Sequence, residues 1–256
     1  MTALSSALAS FAGTGRVLVA SDFDGVLAPL VMRPDDARAL PQSLSALRSL
    51  AGMPDTAVAI VSGRDLATLR TLTGLTEDDP IVLIGSHGGE PAVPLPIEAR
   101  LDAAAQERLA RATAYLEQVA GRHPGTRLEH KPANVVLHTR GLSEEAAAAA
   151  AADGMAITQA HPDVHVMAGK SIVEAGVLDV NKGVALTALA QRVGAEATLY
   201  LGDDVTDETA FAVLPPPNLT VKVGPGKTAA TQRIPDPEAV ASLLADLADL
   251  RRAGTS

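Results

Sequence analysis

The 256-residue sequence contains no cysteine and no tryptophan, and aromatic residues make up only 2% of it. Without cysteine, the chain cannot form disulfides, thiolate metal sites or a cysteine nucleophile, so any nucleophile must be an oxygen or a nitrogen. With so few aromatic side chains, the core must be built from leucine, valine, isoleucine and alanine. No apolar run reaches the roughly 20 residues that span a bilayer, so we expect no membrane segment.

The sequence also lacks the features of an exported or nucleic-acid-binding protein. Residues 1–15 contain no basic stretch followed by an apolar one, so they predict a short helix or loose leader and a cytoplasmic location. The net charge of −9 argues against a nucleic-acid partner, whose phosphates favour basic surfaces. No pattern encodes the oligomeric state, and we expect a monomer.

Short apolar runs alternate with segments of helical spacing in the first and last thirds of the chain. The runs at 16–21, 56–61 and 81–84 predict buried strands, and leucines recur at helical spacing between them. The same alternation returns after residue 182. This order is typical of an α/β fold in which helices flank a parallel sheet.

The middle of the chain has a different pattern. Residues 101–120 predict an amphipathic helix, and 127–131 with 134–138 predict an antiparallel pair of half-exposed strands. A run of seven alanines, 146–152, favours another helix, and two further strands follow it. We therefore predict a core domain formed by residues 1–89 and 169–256, with an inserted α+β cap domain at residues 90–168.

Polar side chains follow the predicted core strands at the points where the strands end. Asp22 and Asp24 follow the first strand, Ser62 follows the second, and Asp203 with Asp204 follows a later one. Ligands of parallel α/β sheets bind at the carboxyl ends of the strands, so these groups can meet at one edge. A single motif of this kind is more often a solvated turn or a helix cap, and only the combination is specific.

Repulsion between neighbouring carboxylates suggests how the roles divide. Asp22 can stay ionised as a nucleophile, while repulsion keeps Asp24 partly protonated and suited to general acid catalysis. The segment Gly202–Glu208 holds four carboxylates in seven residues, which suits Mg²⁺. Lys182 stands at a predicted helix start, where it can hold the nucleophile ionised and bind a phosphate oxygen.

These motifs, in this order, resemble those of the haloacid-dehalogenase-like phosphatases. The resemblance covers nearly the whole chain and implies a modified Rossmann core with an inserted cap. It implies Asp22, Asp24, Ser62 and Lys182 as catalytic residues. It implies that Mg²⁺ is held by the Asp22 and Asp203 side chains and the Asp24 main-chain carbonyl, with Asp204 and Asp207 orienting these groups.

Longer segments resemble the trehalose-6-phosphate phosphatases within that superfamily. They include Val61-Ser62-Gly63-Arg64, Glu129-His130-Lys131, Gly169-Lys170-Ser171-Ile172-Val173-Glu174 and Gly202-Asp203-Asp204-Val205-Thr206-Asp207-Glu208. The resemblance implies a phosphoric monoester hydrolase that converts trehalose 6-phosphate to trehalose and phosphate, with a functional link to a trehalose-6-phosphate synthase. The substrate contacts that we expect are Arg64, His87, Glu129, Lys131, Lys170 and Glu174.

Two departures from the family pattern leave alternatives open. Val26 stands where the family usually has threonine, and residues 175–180 lack the Arg-Pro pair common before the Lys-Gly of the third motif. The core motifs fit equally a related sugar-phosphate or glycosyl-phosphoglycerate phosphatase, and a phosphomutase would need a bisphosphate. A sugar-phosphate sensor or synthase partner is the non-enzyme alternative, against which the intact carboxylates argue.

Overall fold

The structure is a computed structural model that describes residues 3–97, 101–169, 171–178 and 180–254. The chain divides into two compact units, with boundaries between residues 97 and 98 and between residues 179 and 180. Unit 1 combines the segments on either side of these boundaries, and unit 2 is the segment between them.

Eleven strands lie in the described part of the chain. They are β1 (Val17–Ser21), β2 (Thr56–Val61), β3 (Ile81–Gly85), β4 (Glu90–Pro91), β5 (Arg127–His130), β6 (Asn134–His138), β7 (His165–Gly169), β8 (Ile172–Gly176), β9 (Ala197–Gly202), β10 (Leu219–Val223) and β11 (Gln232–Ile234).

The described residues also form nine α-helices. They are α1 (Ala3–Ala12), α2 (Pro41–Ala51), α3 (Leu66–Thr73), α4 (Ala103–Arg122), α5 (Glu144–Met155), α6 (Ile157–Ala160), α7 (Lys182–Val193), α8 (Glu208–Val213) and α9 (Pro237–Gly254). None of these helices is long and apolar enough to cross a membrane.

Unit 1 is built on a seven-stranded sheet in the order β11-β10-β9-β1-β2-β3-β4. Every neighbouring pair is parallel except β3 and β4. The central strand β1 is buried along its whole length, as expected for a parallel sheet covered on both faces. The prediction of an α/β fold with a mainly parallel sheet is therefore confirmed.

Alternation along β1 divides the core of unit 1 between the two faces of the sheet. Val17 and Val19 belong to a cluster with apolar residues of α1, α2, α3 and α9. Leu18 and Ala20 belong to a second cluster with residues of α7 and α8. Each fully buried valine or leucine side chain stabilises the fold by about 1.5–3 kcal/mol, so apolar packing on both faces fixes the strand ends that carry the polar groups.

Unit 2 is a four-stranded antiparallel sheet with helices on one face. Its strand order is β5-β6-β8-β7, and β5 pairs with β6 as the sequence predicts. Val135, Leu137 and Val173 are buried in a cluster with apolar residues of α4 and α6. The alternate residues of β6 and β8 therefore belong to the opposite face of the sheet.

The unit boundaries differ from the predicted limits of the cap. The sequence placed residues 169–179 in the core domain, but Ile172–Gly176 forms β8, which lies between β6 and β7 in the sheet of unit 2. Residues 90–97 lie in unit 1, where Glu90 and Pro91 pair with β3. The sequence of a short strand does not show which of two sheets the strand joins. Both predicted limits of the cap therefore lie about ten residues before the boundaries of unit 2.

Candidate active site

Four neighbouring strands of unit 1 end in polar residues at the same edge of the sheet. Asp22 follows β1, Ser62 follows β2, His87 follows β3 by two residues, and Asp203 follows β9. Since β9, β1, β2 and β3 are adjacent and parallel, their carboxyl ends lie side by side. Lys182, the first residue of α7, reaches the same edge.

Asp22 is buried, with only 5% of its surface exposed. Its main-chain N–H donates to the Leu201 carbonyl at 2.9 Å, which ties the residue to the adjacent strand β9. One carboxylate oxygen accepts from the Phe23 N–H at 2.6 Å, and the other accepts from Lys182 Nζ at 2.7 Å. Burial raises the pKa of Asp22 well above its usual value against the opposing charge of Lys182, and repulsion from Asp207 and Asp203 adds to the rise.

Lys182 connects the carboxylates of this site. Its ammonium group is almost fully buried and donates to Asp22 Oδ2 at 2.7 Å and to Asp207 Oδ1 at 2.8 Å. Burial lowers the pKa of Lys182, but the charges of Asp207 and Asp22 outweigh it, and the net effect is a raised pKa. Lys182 is therefore a fixed cation, with two of its three N–H groups directed at carboxylates.

Asp207 is fully buried, and its carboxylate accepts four hydrogen bonds. Its Oδ1 accepts from Lys182 Nζ at 2.8 Å and from the Tyr200 hydroxyl at 2.6 Å. Its Oδ2 accepts from the N–H groups of Asp203 at 2.8 Å and Asp204 at 3.0 Å. Burial raises its pKa, but Lys182 and the other donors outweigh burial and hold the net pKa below its usual value.

The carboxylates of Asp22, Asp203 and Asp207 come together in a group that could hold a metal ion. One oxygen from each lies within 4.8 Å of the other two. Asp207 already accepts four hydrogen bonds, whereas no donor in the described part of the chain is bonded to the Asp203 carboxylate. Burial and repulsion from Asp207 and Asp204 raise the pKa of Asp203 to about 7. Two crowded carboxylates, Asp22 and Asp203, therefore suit a divalent cation, and Asp207 orients them.

Asp204 contributes its main chain rather than its carboxylate to this group. Its N–H donates to Asp207, whereas its own Oδ1 accepts from the adjacent Val205 N–H at 2.7 Å, and the residue is exposed. The predicted role of Asp204 in orienting the site thus rests on its backbone.

The Asp24 carboxylate, which the sequence predicts to be repelled by Asp22, is paired with an arginine. Both oxygens of the Asp24 carboxylate accept from Arg64, from Nε at 2.7 Å and from Nη2 at 2.8 Å. Arg64 Nη2 also donates to the Pro34 carbonyl at 2.9 Å, and its guanidinium lies 5.9 Å from the Phe23 ring centroid. The sequence pattern could not show this pairing, because Asp24 and Arg64 are 40 residues apart.

Ser62 and His87 line the neighbouring strand ends. Ser62 is buried, its hydroxyl accepts from the Arg64 N–H at 3.2 Å, and its carbonyl accepts from the His87 N–H at 2.9 Å. His87 has a φ of 54°, and its ring lies so close to Gly63 that a Cβ there would collide with it. The structure thus brings His87 next to the serine, and the glycine makes room for it.

The turn after Asp22 explains both its glycine and its unusual valine. Gly25 has a φ of 75°, and a Cβ at this position would collide with the Asp203 carboxylate. Val26 is fully buried in the apolar cluster of unit 1. The side chain at position 26 therefore packs in the core of unit 1.

Two of the predicted substrate contacts, Glu129 and Glu174, lie on the face of the unit 2 sheet opposite the apolar cluster. Glu129 and Glu174 flank Val136 in register across β5, β6 and β8. Glu129 Oε2 lies 2.7 Å from His138 Nε2, and this bond outweighs partial burial and lowers the pKa of Glu129.

Glu174 is buried and contacts polar side chains of the same sheet face. It accepts from Asn134 Nδ2 at 2.5 Å and lies 3.5 Å from Lys131 Nζ. Unit 2 thus carries a half-buried polar group formed by Glu129, Lys131, Asn134, His138 and Glu174. Lys170, also predicted to contact substrate, lies outside the described residues.

A sequence profile described as trehalose-phosphatase matches residues 20–236, which include every residue of both polar groups. The chain belongs to the trehalose-phosphatase family. This finding confirms the resemblance on which the site residues were chosen.

Curated relatives of this trehalose-phosphatase family member are also named as trehalose phosphatases. A trehalose-phosphate phosphatase of Mycobacterium tuberculosis is 35% identical over 240 residues, covering 89% of this chain and 60% of the relative. A bifunctional trehalose-6-phosphate synthase/phosphatase of Thermoproteus tenax is 32% identical over 243 residues, covering 93% of this chain and 32% of the relative. The chain thus spans about a third to three fifths of the length of these curated relatives.

Solved structures support the same fold for this family member. The C-terminal domain of Candida albicans trehalose-6-phosphate phosphatase superposes with a TM-score of 0.82 at 25% identity, covering 97% of both chains. An Aspergillus fumigatus trehalose-6-phosphate phosphatase superposes with a TM-score of 0.69 at 27% identity.

Two buried polar residues near the carboxylates of this family member, Tyr200 and Lys222, were not predicted from the sequence. Tyr200, on β9, donates to Asp207. Lys222, on β10, donates to the main-chain carbonyls of Asp203 and Val223. A charged residue inside a fully buried strand was the available signal for Lys222. Tyr200 carried none, because a tyrosine in a buried strand usually fills a core.

Proposed function

We propose that this chain is a Mg²⁺-dependent phosphatase that hydrolyses trehalose 6-phosphate to trehalose and inorganic phosphate. The observation that carries the proposal is the ammonium group of Lys182, held between Asp22 and Asp207 beside the Asp203 carboxylate. A buried carboxylate with a fixed cation at hydrogen-bonding distance is a suitable nucleophile for a phosphate ester.

In the first step, a carboxylate oxygen of Asp22 bonds to phosphorus as the bond from phosphorus to the sugar oxygen breaks. Asp24 transfers its proton to the departing sugar oxygen, which leaves as the free hydroxyl of trehalose. The third N–H of Lys182 and the hydroxyl of Ser62 stabilise the charge that develops on the phosphoryl oxygens.

In the second step, water attacks the phosphorus of the aspartyl-phosphate. The bond to the Asp22 oxygen breaks, and Asp24 accepts the proton of the water. Inorganic phosphate leaves, Asp22 is again a carboxylate, and Asp24 again carries a proton. Because Arg64 occupies both oxygens of Asp24 in the structure, this ion pair must open before Asp24 can serve as an acid.

The residues present fit a divalent cation. Burial and repulsion from neighbouring carboxylates raise the pKa of Asp22 and the pKa of Asp203, and a bound cation relieves this repulsion. We propose these two side chains and the Asp24 main-chain carbonyl as its ligands. When bound, Mg²⁺ neutralises charge on the transferring phosphoryl group.

The polar group of unit 2 supplies the sugar contacts in this proposal. Carboxylates such as Glu129 and Glu174 accept hydrogen bonds from sugar hydroxyls, and Lys131 donates to them. We include Arg64, His87 and Lys170 among the substrate contacts. We also propose a cytoplasmic enzyme with a functional link to a trehalose-6-phosphate synthase, which the bifunctional relative supports.

A panel of phosphorylated sugars, assayed with and without Mg²⁺, tests this function. We expect trehalose 6-phosphate to have the highest kcat/KM, and we expect EDTA to abolish phosphate release until Mg²⁺ is restored. Preference for a monosaccharide phosphate or a glycosyl-phosphoglycerate would reject the trehalose assignment. Isomerised sugar without free phosphate would indicate a mutase, and no turnover of any ester would indicate a sensor.

Lys131→Met should separate sugar recognition from the chemical step. Losing a hydrogen bond from a charged group costs about 1.5–3 kcal/mol, so we expect KM for trehalose 6-phosphate to rise roughly 10- to 150-fold. The kcat/KM for p-nitrophenyl phosphate, which carries no sugar, should change less than about twofold. The exposed Lys227→Met is the control, and equal losses on both substrates would contradict the assignment of Lys131.

A further inference from the structure

Tyr200 lies directly behind the carboxylates that the proposed chemistry uses. It is fully buried in β9, and its ring centroid lies 5.8 Å from that of Phe211 on α8. Its hydroxyl donates to Asp207 Oδ1 at 2.6 Å, the same oxygen that accepts from Lys182. A chain of hydrogen-bonded groups therefore runs from Tyr200 through Asp207 and Lys182 to Asp22.

All acceptor positions of the Asp207 carboxylate are occupied by hydrogen-bond donors. A carboxylate offers about four lone pairs. In Asp207 they meet the Tyr200 hydroxyl, Lys182 Nζ and the N–H groups of Asp203 and Asp204. The carboxylate cannot rotate without breaking one of these bonds. Tyr200 stays a neutral donor, since burial and the neighbouring charges of Asp207 and Asp22 raise its pKa well above the usual value.

We propose that Tyr200 is a positioning residue for phosphoryl transfer, whose hydroxyl holds Asp207 so that Lys182 stays directed at the nucleophile Asp22. The inference rests on the proposed phosphatase function. Tyr200 touches neither substrate nor nucleophile in this scheme, and it acts through Asp207.

Removing the hydroxyl leaves one lone pair of a buried carboxylate without a donor. That loss is costly in a protein interior, and the carboxylate relaxes towards the donors that remain. The strongest of these is Lys182, because it carries a full charge. A closer Asp207–Lys182 contact draws Nζ away from Asp22, which weakens the position of the nucleophile without removing a group that binds the substrate.

Tyr200→Phe should therefore lower kcat by about 10- to 100-fold while KM changes less than about threefold. The assay uses p-nitrophenyl phosphate as well as trehalose 6-phosphate, so failure of the sugar as a substrate leaves the test intact. The control is Tyr115→Phe, because Tyr115 is the other tyrosine of the sequence and its hydroxyl donates to the Asp153 carbonyl in unit 2. We expect this control to retain kcat and KM.

The sequence allows a spectroscopic test that does not depend on turnover. It contains two tyrosines and no tryptophan, so Tyr115→Phe leaves Tyr200 as the sole tyrosine. Inorganic phosphate added with Mg²⁺ should draw Lys182 towards the anion and strengthen the bond from Tyr200 to Asp207. We expect a change in tyrosine absorbance and fluorescence in Tyr115→Phe, and none in Tyr200→Phe, where only Tyr115 remains.

The outcomes separate positioning from packing. A kcat loss in Tyr200→Phe together with the spectral change in Tyr115→Phe supports the proposal. A lowered melting temperature with unchanged kcat and KM assigns Tyr200 to packing alone and overturns it. Should Tyr200→Phe fail to fold, the spectral change decides, and its absence overturns the proposal. If the wild-type protein has no phosphatase activity, the proposed function is rejected. The spectral measurement still tests whether Tyr200 responds to a ligand at Lys182.

Discussion

Asp22→Asn is expected to lower kcat for phosphate-ester hydrolysis by about 10⁴-fold or more, as removal of a nucleophile typically does. Asparagine keeps the size of the side chain but cannot form the aspartyl-phosphate. Steady-state release of inorganic phosphate under saturating Mg²⁺ and substrate measures the effect. Activity close to that of the parent protein would contradict the role of Asp22 as the nucleophile.

The same variant should fold at least as well as the parent protein in the absence of metal. Burial raises the pKa of Asp22 against the opposing charge of Lys182, and the charges of Asp207 and Asp203 add to the rise, so the ionised carboxylate costs free energy when no metal is bound. Replacing it with a neutral amide relieves that repulsion. We expect an equal or higher melting temperature in EDTA, together with a smaller stabilisation by Mg²⁺ than in the parent.

Asp246→Asn provides a matched control for this substitution. Asp246 lies on an exposed position of α9, in unit 1 but outside the carboxylate group. Its substitution changes charge by the same amount and should leave both kcat and the Mg²⁺-dependent stabilisation unchanged. A similar loss of activity in both variants would point to a general effect of charge rather than to a nucleophile.

The sequence predicted those features that depend on local periodicity and on strand order. Asp22, Ser62 and Asp203 follow buried apolar runs, and parallel strands place their carboxyl ends together, so their proximity followed from pattern alone. The antiparallel pair β5 and β6 was also predictable, because two short segments of strand-forming residues flank a short turn.

Partnerships between distant residues could not be predicted in this way. The bond between Asp24 and Arg64, the hydroxyl of Tyr200 on Asp207 and the ammonium of Lys222 on the Asp203 carbonyl all depend on tertiary packing. The limits of unit 2 could not be predicted either, because the sequence of β8 is equally compatible with the parallel sheet and with the antiparallel sheet. Periodicity shows that a strand is buried, and only the fold shows what it lies against.

Lys182→Met is expected to be the most destabilising single change at this site. It leaves Asp22 and Asp207 buried without their shared cation, and breaking a buried ion pair in this way costs about 3–5 kcal/mol. For a chain of this size the melting temperature should fall by roughly 6–20 °C. Activity should fall by at least about 10²–10³-fold, because the proposed mechanism uses Lys182 to stabilise the charge on the transferring phosphoryl group.

The pH dependence of this loss distinguishes the ion pair from simple packing. The lowered pKa of Asp207 contributes stability above its unfolded value of about 3.9, and this contribution is lost as pH falls through the folded pKa. The raised pKa of Lys182 contributes stability below its unfolded value of about 10.4, and this contribution is lost as pH rises through the folded pKa. Both contributions are therefore present from about pH 4 to about pH 10.

The difference in melting temperature between the parent and Lys182→Met should be largest within that window. It should narrow as pH falls towards the acid limit, because Asp22 and Asp207 become protonated in the variant and no longer need a cation. Lys227→Met, which removes an exposed lysine, should show no such difference at any pH. A deficit that stays constant with pH would mean that the Lys182 side chain stabilises unit 1 by filling space, and that its charge does not hold the nucleophile in place.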